Sequence, residues 1–347
     1  MTSADVSERT QTAAGASSVP PPKRHRAALE VAERLGLTLL FLALIVVFSV
    51  LRPETFPTLA NARTIAISQA VMAVSALALL FPLLAGRFDI SVGANVGTAS
   101  IATAAAMSNH HLPVAIAAGI GVLCGCLIGL VNGVLIAYFG IDSIICTIGV
   151  ATVLGGVVFA YTDGIPVSTG ISPTLTNLST QRVAGIPALF VIMVVLALIV
   201  WAVMARFTFG RQLAAIGSNE VAARLTGLPI RRLVLLSFVC AGLLSGGAGV
   251  MLVAAQGNGN PQVGGIAFLL PALAAVFLGA TTIFPGRYNV PGTVIAILFV
   301  GTAVSGLTLM GAQTWITDVF NGTAVIVAVG AAAAFRRRRT GQQALGH

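Results

Sequence analysis

Long apolar runs separated by short polar stretches organise this chain. Ten of them are long enough, or nearly so, to cross a hydrocarbon core of ~30 Å at ~1.5 Å per residue. They lie near 35–51, 65–84, 90–107, 113–138, 144–161, 187–204, 233–255, 266–283, 292–311 and 318–335. The third, ISVGANVGTASIATAAAM, is built from Gly, Ala, Ser and Thr and carries Asn95. Lipid would not favour it, whereas a packed bundle interior would, because small residues let helices approach closely. It is expected to be central, and broken or half-spanning at its start. The pattern predicts an all-α polytopic membrane protein of about ten transmembrane helices.

One polar island, Ala205 to Arg232, interrupts this pattern. Ser218 is placed to cap a short helix, with Glu220 in its first turn and Arg224 four residues later on the same face. Gly227 and Pro229 are expected to stop that helix. Val221, Ala222 and Leu225 form its apolar part, with Ala223 between them. A two-turn helix is marginal in water and needs a surface to dock on. On a cytoplasmic loop of a membrane protein, it suits passing motion to a soluble partner.

Composition agrees with the runs. Hydrophobic residues make up 57% of the chain and charged residues 8%, with a mean hydropathy of +0.98. Soluble domains carry about 25% charged residues, so a membrane domain accounts for nearly the whole chain. The net charge of +9 does not point to nucleic acid, since the arginines sit at the ends of apolar runs without interleaved aromatics. With ten spans and an inner N-terminus, every Lys and Arg falls on the cytoplasmic side except Arg52, Arg63 and Arg182. That bias fixes both termini as cytoplasmic. Residues 1–34 read as a disordered cytoplasmic tail, 35–335 as the transmembrane domain with its loop at 205–232, and 336–347 as a basic tail whose Arg336 to Arg339 anchor the inner face. The longest external loop, 162–186, offers a surface to an extracytoplasmic partner. GRFDISVG at 86–93 and GRYNVPG at 286–292 share a Gly-Arg-aromatic-Asp/Asn opening at inner turns, too little to establish a repeat.

No catalytic chemistry is visible. A phosphate-binding P-loop needs a lysine in a Gly-rich turn, and the sole lysine is Lys23. Cys124 and Cys126 form C-x-C with no histidine near in sequence, so a zinc site is not expected. The ten acids fall in tails, loops or predicted helix ends, so no ion-coupling site is visible. Neutral polar groups inside or at the ends of the spans suit an uncharged, hydroxyl-rich solute as well as helix–helix bonding. Asp89, Ser91, Asn95, Asn132 and Thr147 are the candidates for a solute path. A stand-alone secondary transporter for a small neutral solute is the alternative that composition leaves open.

The motifs carry a resemblance. GRFDISVG and the span after it resemble the Gly-x-x-Asp-[Leu/Ile]-Ser-Val-Gly signature of ribose/xylose/galactose-type ABC permeases. Residues 132–167, 210–252 and 277–293 are similar to that family's Asn-Gly opening, its coupling segment with the following span, and its Gly-rich inner turn. Arg87, Phe88, Pro285, Tyr288 and Asn289 depart from its usual residues. The resemblance implies a permease subunit of an ATP-driven sugar importer in a bacterial inner membrane. It further implies two cytoplasmic ATPases that hold ATP and Mg, an extracytoplasmic sugar-binding protein, and a second permease copy or paralogue. No cofactor or metal is then expected on this chain. Residues Ser218 to Gly227 would be its ATPase-coupling helix.

Overall fold

The computed structural model describes residues 23–330, except 314, 317, 318, 321, 325, 328 and 329, and gives the backbone alone at 23–34 and 267. The tail at 1–22, the basic tail at 336–347 and much of the expected span 318–335 lie outside the described residues. Helix α1 (Lys23–Leu51) starts ahead of the apolar run. It is followed by α2 (Leu59–Leu84), α3 (Val92–Ser108), α4 (Val114–Ala137) and α5 (Ser143–Thr162). A short helix α6 (Pro173–Thr180) and strands β1 (Arg182–Val183) and β2 (Ile186–Pro187) precede α7 (Ala188–Arg206). Then come α8 (Thr208–Ser218), α9 (Glu220–Leu225), α10 (Ile230–Gln256), α11 (Gly265–Gly279) and α12 (Val290–Leu309).

Among the described residues, α2, α4, α5, α7, α10 and α12 are long and apolar enough to cross a membrane. Leu35–Leu51 and Phe268–Gly279 are apolar but shorter. Helix α3 has 17 residues, about 25 Å at 1.5 Å per residue, which falls short of a hydrocarbon core. It begins only at Val92 and is buried along most of its length, as its small residues require. The expected run at 266–283 stops at Gly279. There Asn289 Nδ2 donates to the Gly279 carbonyl (3.1 Å) while its Oδ1 accepts from Gly292 N–H (2.7 Å). One side chain thus closes α11 and opens α12. The β1–β2 hairpin departs from the all-α expectation. Its turn residues Ala184 and Gly185 both have positive φ, the backbone that closes a two-residue hairpin.

Helices α2, α3 and α10 form the centre, with every residue of α2 from Ala70 to Leu83 buried except the partly buried Met72. Helix α10 packs across α2, α3 and α4. Its seam with α4 is lined by Gly125 and Gly129 against Gly242 and Gly246. A Cβ on Gly125 would stand 2.6 Å from the Gly246 Cα, so the two backbones touch. Outward, α4, α5 and α7 expose Leu123, Leu127, Ile145, Val153, Leu198 and Ile199. Such a girdle suits lipid and would be a liability in water.

The turns after α2, α4, α7 and α11 share one end of the bundle. Phe277 at the end of α11 has Phe88 on one side and Tyr288 on the other, with ring centroids 6.4 and 6.0 Å away. The two Gly-Arg-aromatic turns therefore meet on the same ring. The opposite end holds α6, the hairpin and a bridge between Val167 and Gly259.

Candidate functional site

Helix α9 is placed by its neighbours on both sides. Residues 208–218 of the polar island fold as α8, which buries Leu213 and Ile216 and sets Phe209 against Phe81 at 6.1 Å. The three-residue spacing of Gly210, Leu213 and Ile216 is the amphipathic signal for it. This corrects the expected cap, because Ser218 is the last residue of α8. Asn219, with extended backbone, caps α9 by accepting Ala222 N–H on its Oδ1 at 3.0 Å. Helix α9 ends as expected at Gly227 (φ +79°), with Gly227 N–H bonded to Arg224 O and Leu228 N–H to Ala223 O. Those two bonds form a Schellman motif.

The faces of α9 are distinct. Ala223 turns inward and is buried, whereas Val221 and Leu225 are 71% and 85% exposed. Ala222 is exposed beside them. Glu220 accepts from Arg224 at 3.0 Å, the expected i,i+4 pair, and also from Arg87 at 2.6 Å. The sequence gives no sign of the second partner, which lies 133 positions away. Arg87, Glu220 and Arg224 line a cavity of about 680 Å³ with Tyr138, Arg231 and Arg232.

The α2–α3 turn carries Arg87 and starts with its own Schellman motif: Gly86 N–H to Leu83 O and Arg87 N–H to Pro82 O. Four of the five path candidates gather around that turn. Asp89 Oδ1 accepts from Ser91 N–H (3.0 Å) and Ser91 Oγ (2.6 Å), and Asn132 of α4 donates to Ser91 Oγ (2.7 Å). Thr147 of α5 accepts Ile90 N–H at 3.0 Å, and Ser143, which sequence reasoning did not single out, accepts Phe88 N–H. Asn95 sits one turn further along α3 and donates to Gly125 O of α4 at 3.2 Å. Ser91, Asn95, Asn132 and Thr147 are therefore bonded across α3, α4 and α5, Asp89 is bonded to Ser91 within the turn, and none of the five lines a cavity described here. A smaller cavity of about 180 Å³ lies beyond them, between α3 and α5, with Thr98 and Gln262 as hydrogen-bonding groups among Gly97, Gly155 and Val158.

Asp89 is 4% exposed. Burial pushes its carboxyl up to about 6, with the Ser91 side-chain and backbone hydrogen bonds pulling it partly back. It accepts two donors, the backbone N–H and the hydroxyl of Ser91. Asp89→Asn, which keeps an acceptor oxygen, is expected to leave thermal stability in detergent nearly unchanged. Asp89→Leu orphans both donors and should cost about 1–3 kcal/mol for each. Loss of uptake in a folded Asp89→Asn protein would instead assign the carboxyl a titrating role.

Comparison with known proteins completes the picture. The family described as branched-chain amino acid transport system / permease component matches residues 61–329. The ribose import permease of Haemophilus influenzae is 30% identical over 295 residues, 83% of this chain and 90% of that protein. The autoinducer 2 import system permease of Yersinia enterocolitica is 34% identical over 262 residues, covering 74% and 78%. The D-allose transport system permease of Escherichia coli is 31% identical over 293 residues, covering 84% and 89%. No solved structure matches. The family match runs from the start of α2 past the end of α12, and these relatives align over most of their own length, so the chain belongs to this family of bacterial plasma-membrane permeases.

Proposed function

We propose that the chain is the permease subunit of an ATP-driven importer for a monosaccharide or related polyol. The observation that carries this reading is α9: a helix too short to stand alone, capped at both ends, with Val221 and Leu225 left exposed beside an ion-paired face. Apolar side chains so exposed on a polar loop suit a soluble protein partner. The bundle end that carries α9 is then cytoplasmic, with two ATPase subunits beneath it that hold ATP and Mg. A second copy or paralogue completes the pathway, and a sugar-binding protein meets α6 and the hairpin at the far end. The relatives named for ribose and allose import support the solute class. Thr98 and Gln262 beside small residues suit a neutral hydroxylated solute. Asp89, Ser91, Asn95, Asn132 and Thr147 serve the path by fixing its helices.

The test is transport in proteoliposomes containing the chain, its ATPase and its binding protein. Uptake of labelled ribose or allose is expected only with ATP on the ATPase side and the binding protein on the other. Uptake by the chain alone down an ion gradient would replace this reading with the secondary-transporter alternative.

A further inference from the structure

We propose that Arg87 latches α9 to the α2–α3 turn, so that the two move as one body and a push on α9 reaches the first turns of α3 and α5. The inference rests on the importer reading above. The latch joins two segments that covalent structure leaves far apart. Arg87 Nη2 lies 2.6 Å from Glu220 Oε2, and both side chains are only 34% exposed, which shields the pair from solvent more than a surface ion pair.

A second contact sits beside the first. Gly217, near the end of α8, packs on the turn so closely that a Cβ there would collide with the Leu84 carbonyl and lie 3.0 Å from Gly86 N. The end of α8 and the turn therefore meet backbone to backbone. On its other side, the turn is bonded to three helices: to α3 through Asp89 and Ser91, to α4 through Asn132, and to α5 through Ser143 and Thr147. Helices α3 and α5 wall the smaller cavity together with the segment 261–265. A continuous set of bonds thus runs from the docking helix to the walls of a cavity. Among the described residues Arg87 is its one charged link between the α8–α9 segment and the bundle, and so acts as a positioning residue. Solute moved per ATP hydrolysed is the quantity that reads energy transfer along this set of bonds.

The experiment uses the complete importer in proteoliposomes and reads solute moved per ATP hydrolysed. The wild-type complex must first show ATP-dependent uptake; if it does not, the importer reading fails and this inference falls with it. Given that uptake, Arg87→Ala is expected to keep ATPase affinity within about twofold, a change of under about 0.5 kcal/mol, while solute moved per ATP falls severalfold or more. Arg87→Lys should recover part of the ratio. Adding Glu220→Gln to Arg87→Ala should cost little beyond the single change. An unchanged ratio in Arg87→Ala, or a parallel loss of ATPase binding, overturns the proposal. A second measurement does not depend on that variant folding well. Arg87→Cys with Glu220→Cys, in a chain whose four native cysteines are replaced by alanine, is bridged by a short bis-maleimide. A latch that stays closed through the cycle tolerates the bridge and transport continues; transport abolished by bridging and unaffected by single-site labelling shows that the two segments part, and overturns it.

Discussion

Val221→Asp and Leu225→Asp together are expected to detach the ATPase and abolish uptake, while the permease still reaches the membrane in normal amount. Both side chains point away from the bundle, at 71% and 85% exposure, so neither contributes to the core. An apolar anchor at the centre of an interface is worth about 2 kcal/mol or more, roughly thirtyfold in Kd for each. Burying a carboxylate against the same surface adds a desolvation cost. Co-purification with the ATPase and ATP-driven uptake in proteoliposomes provide the two readouts. The inward Ala223 supplies the contrast: Ala223→Asp should lower the yield of folded protein itself, because that position is buried. Retention of the ATPase by the double aspartate variant would remove α9 from the coupling route.

Gly125→Val is expected to be strongly damaging to the bundle. Its Cβ would lie 2.6 Å from the Gly246 Cα, and the obstacle is backbone with no rotamer to move aside. Overpacking a core costs about 1–3 kcal/mol even where side chains can adjust. Here α4 and α10 must separate along the whole seam, so the amount of protein surviving detergent extraction as a single species should fall about tenfold, equivalent to roughly 1.4 kcal/mol. Gly119 on the same helix has nothing within 4 Å of an added Cβ. Gly119→Val therefore controls for helix propensity and is expected to extract like the parent.

The bundle was legible because hydrophobic periodicity and length carry it directly. Six runs found in sequence are helices long enough to span, and the small-residue run at 90–107 is the buried α3. The ends of helices were read less well, for local reasons. Ser218 and Asn219 are both good caps, and the choice fell to Asn219 because Leu213 and Ile216 carry α8 through to Ser218. The expected run through Thr281 and Thr282 was cut at Gly279 by Asn289, a residue ten positions on. At the candidate site, Asp89, Ser91 and Asn132 are all path candidates in the sequence, and the structure bonds Asp89 and Asn132 to Ser91. What sequence could not show is that Arg87 reaches Glu220. No local pattern encodes a contact across 133 positions, since it depends on how α2 and α8 meet.

The touching backbones of α4 and α10 also restrict how such a protein can change shape. Sliding one helix past the other would drive carbonyls and α-carbons into each other at Gly125, Gly129, Gly242 and Gly246, which resists internal shear of this pair. Helix α3 is pinned to the same slab where Gly249 of α10 meets the Ser100 nitrogen at 2.9 Å from an added Cβ. Any change of shape is then left to rocking of the whole slab against whatever stands beside it, and to the thinly packed α5 at its margin.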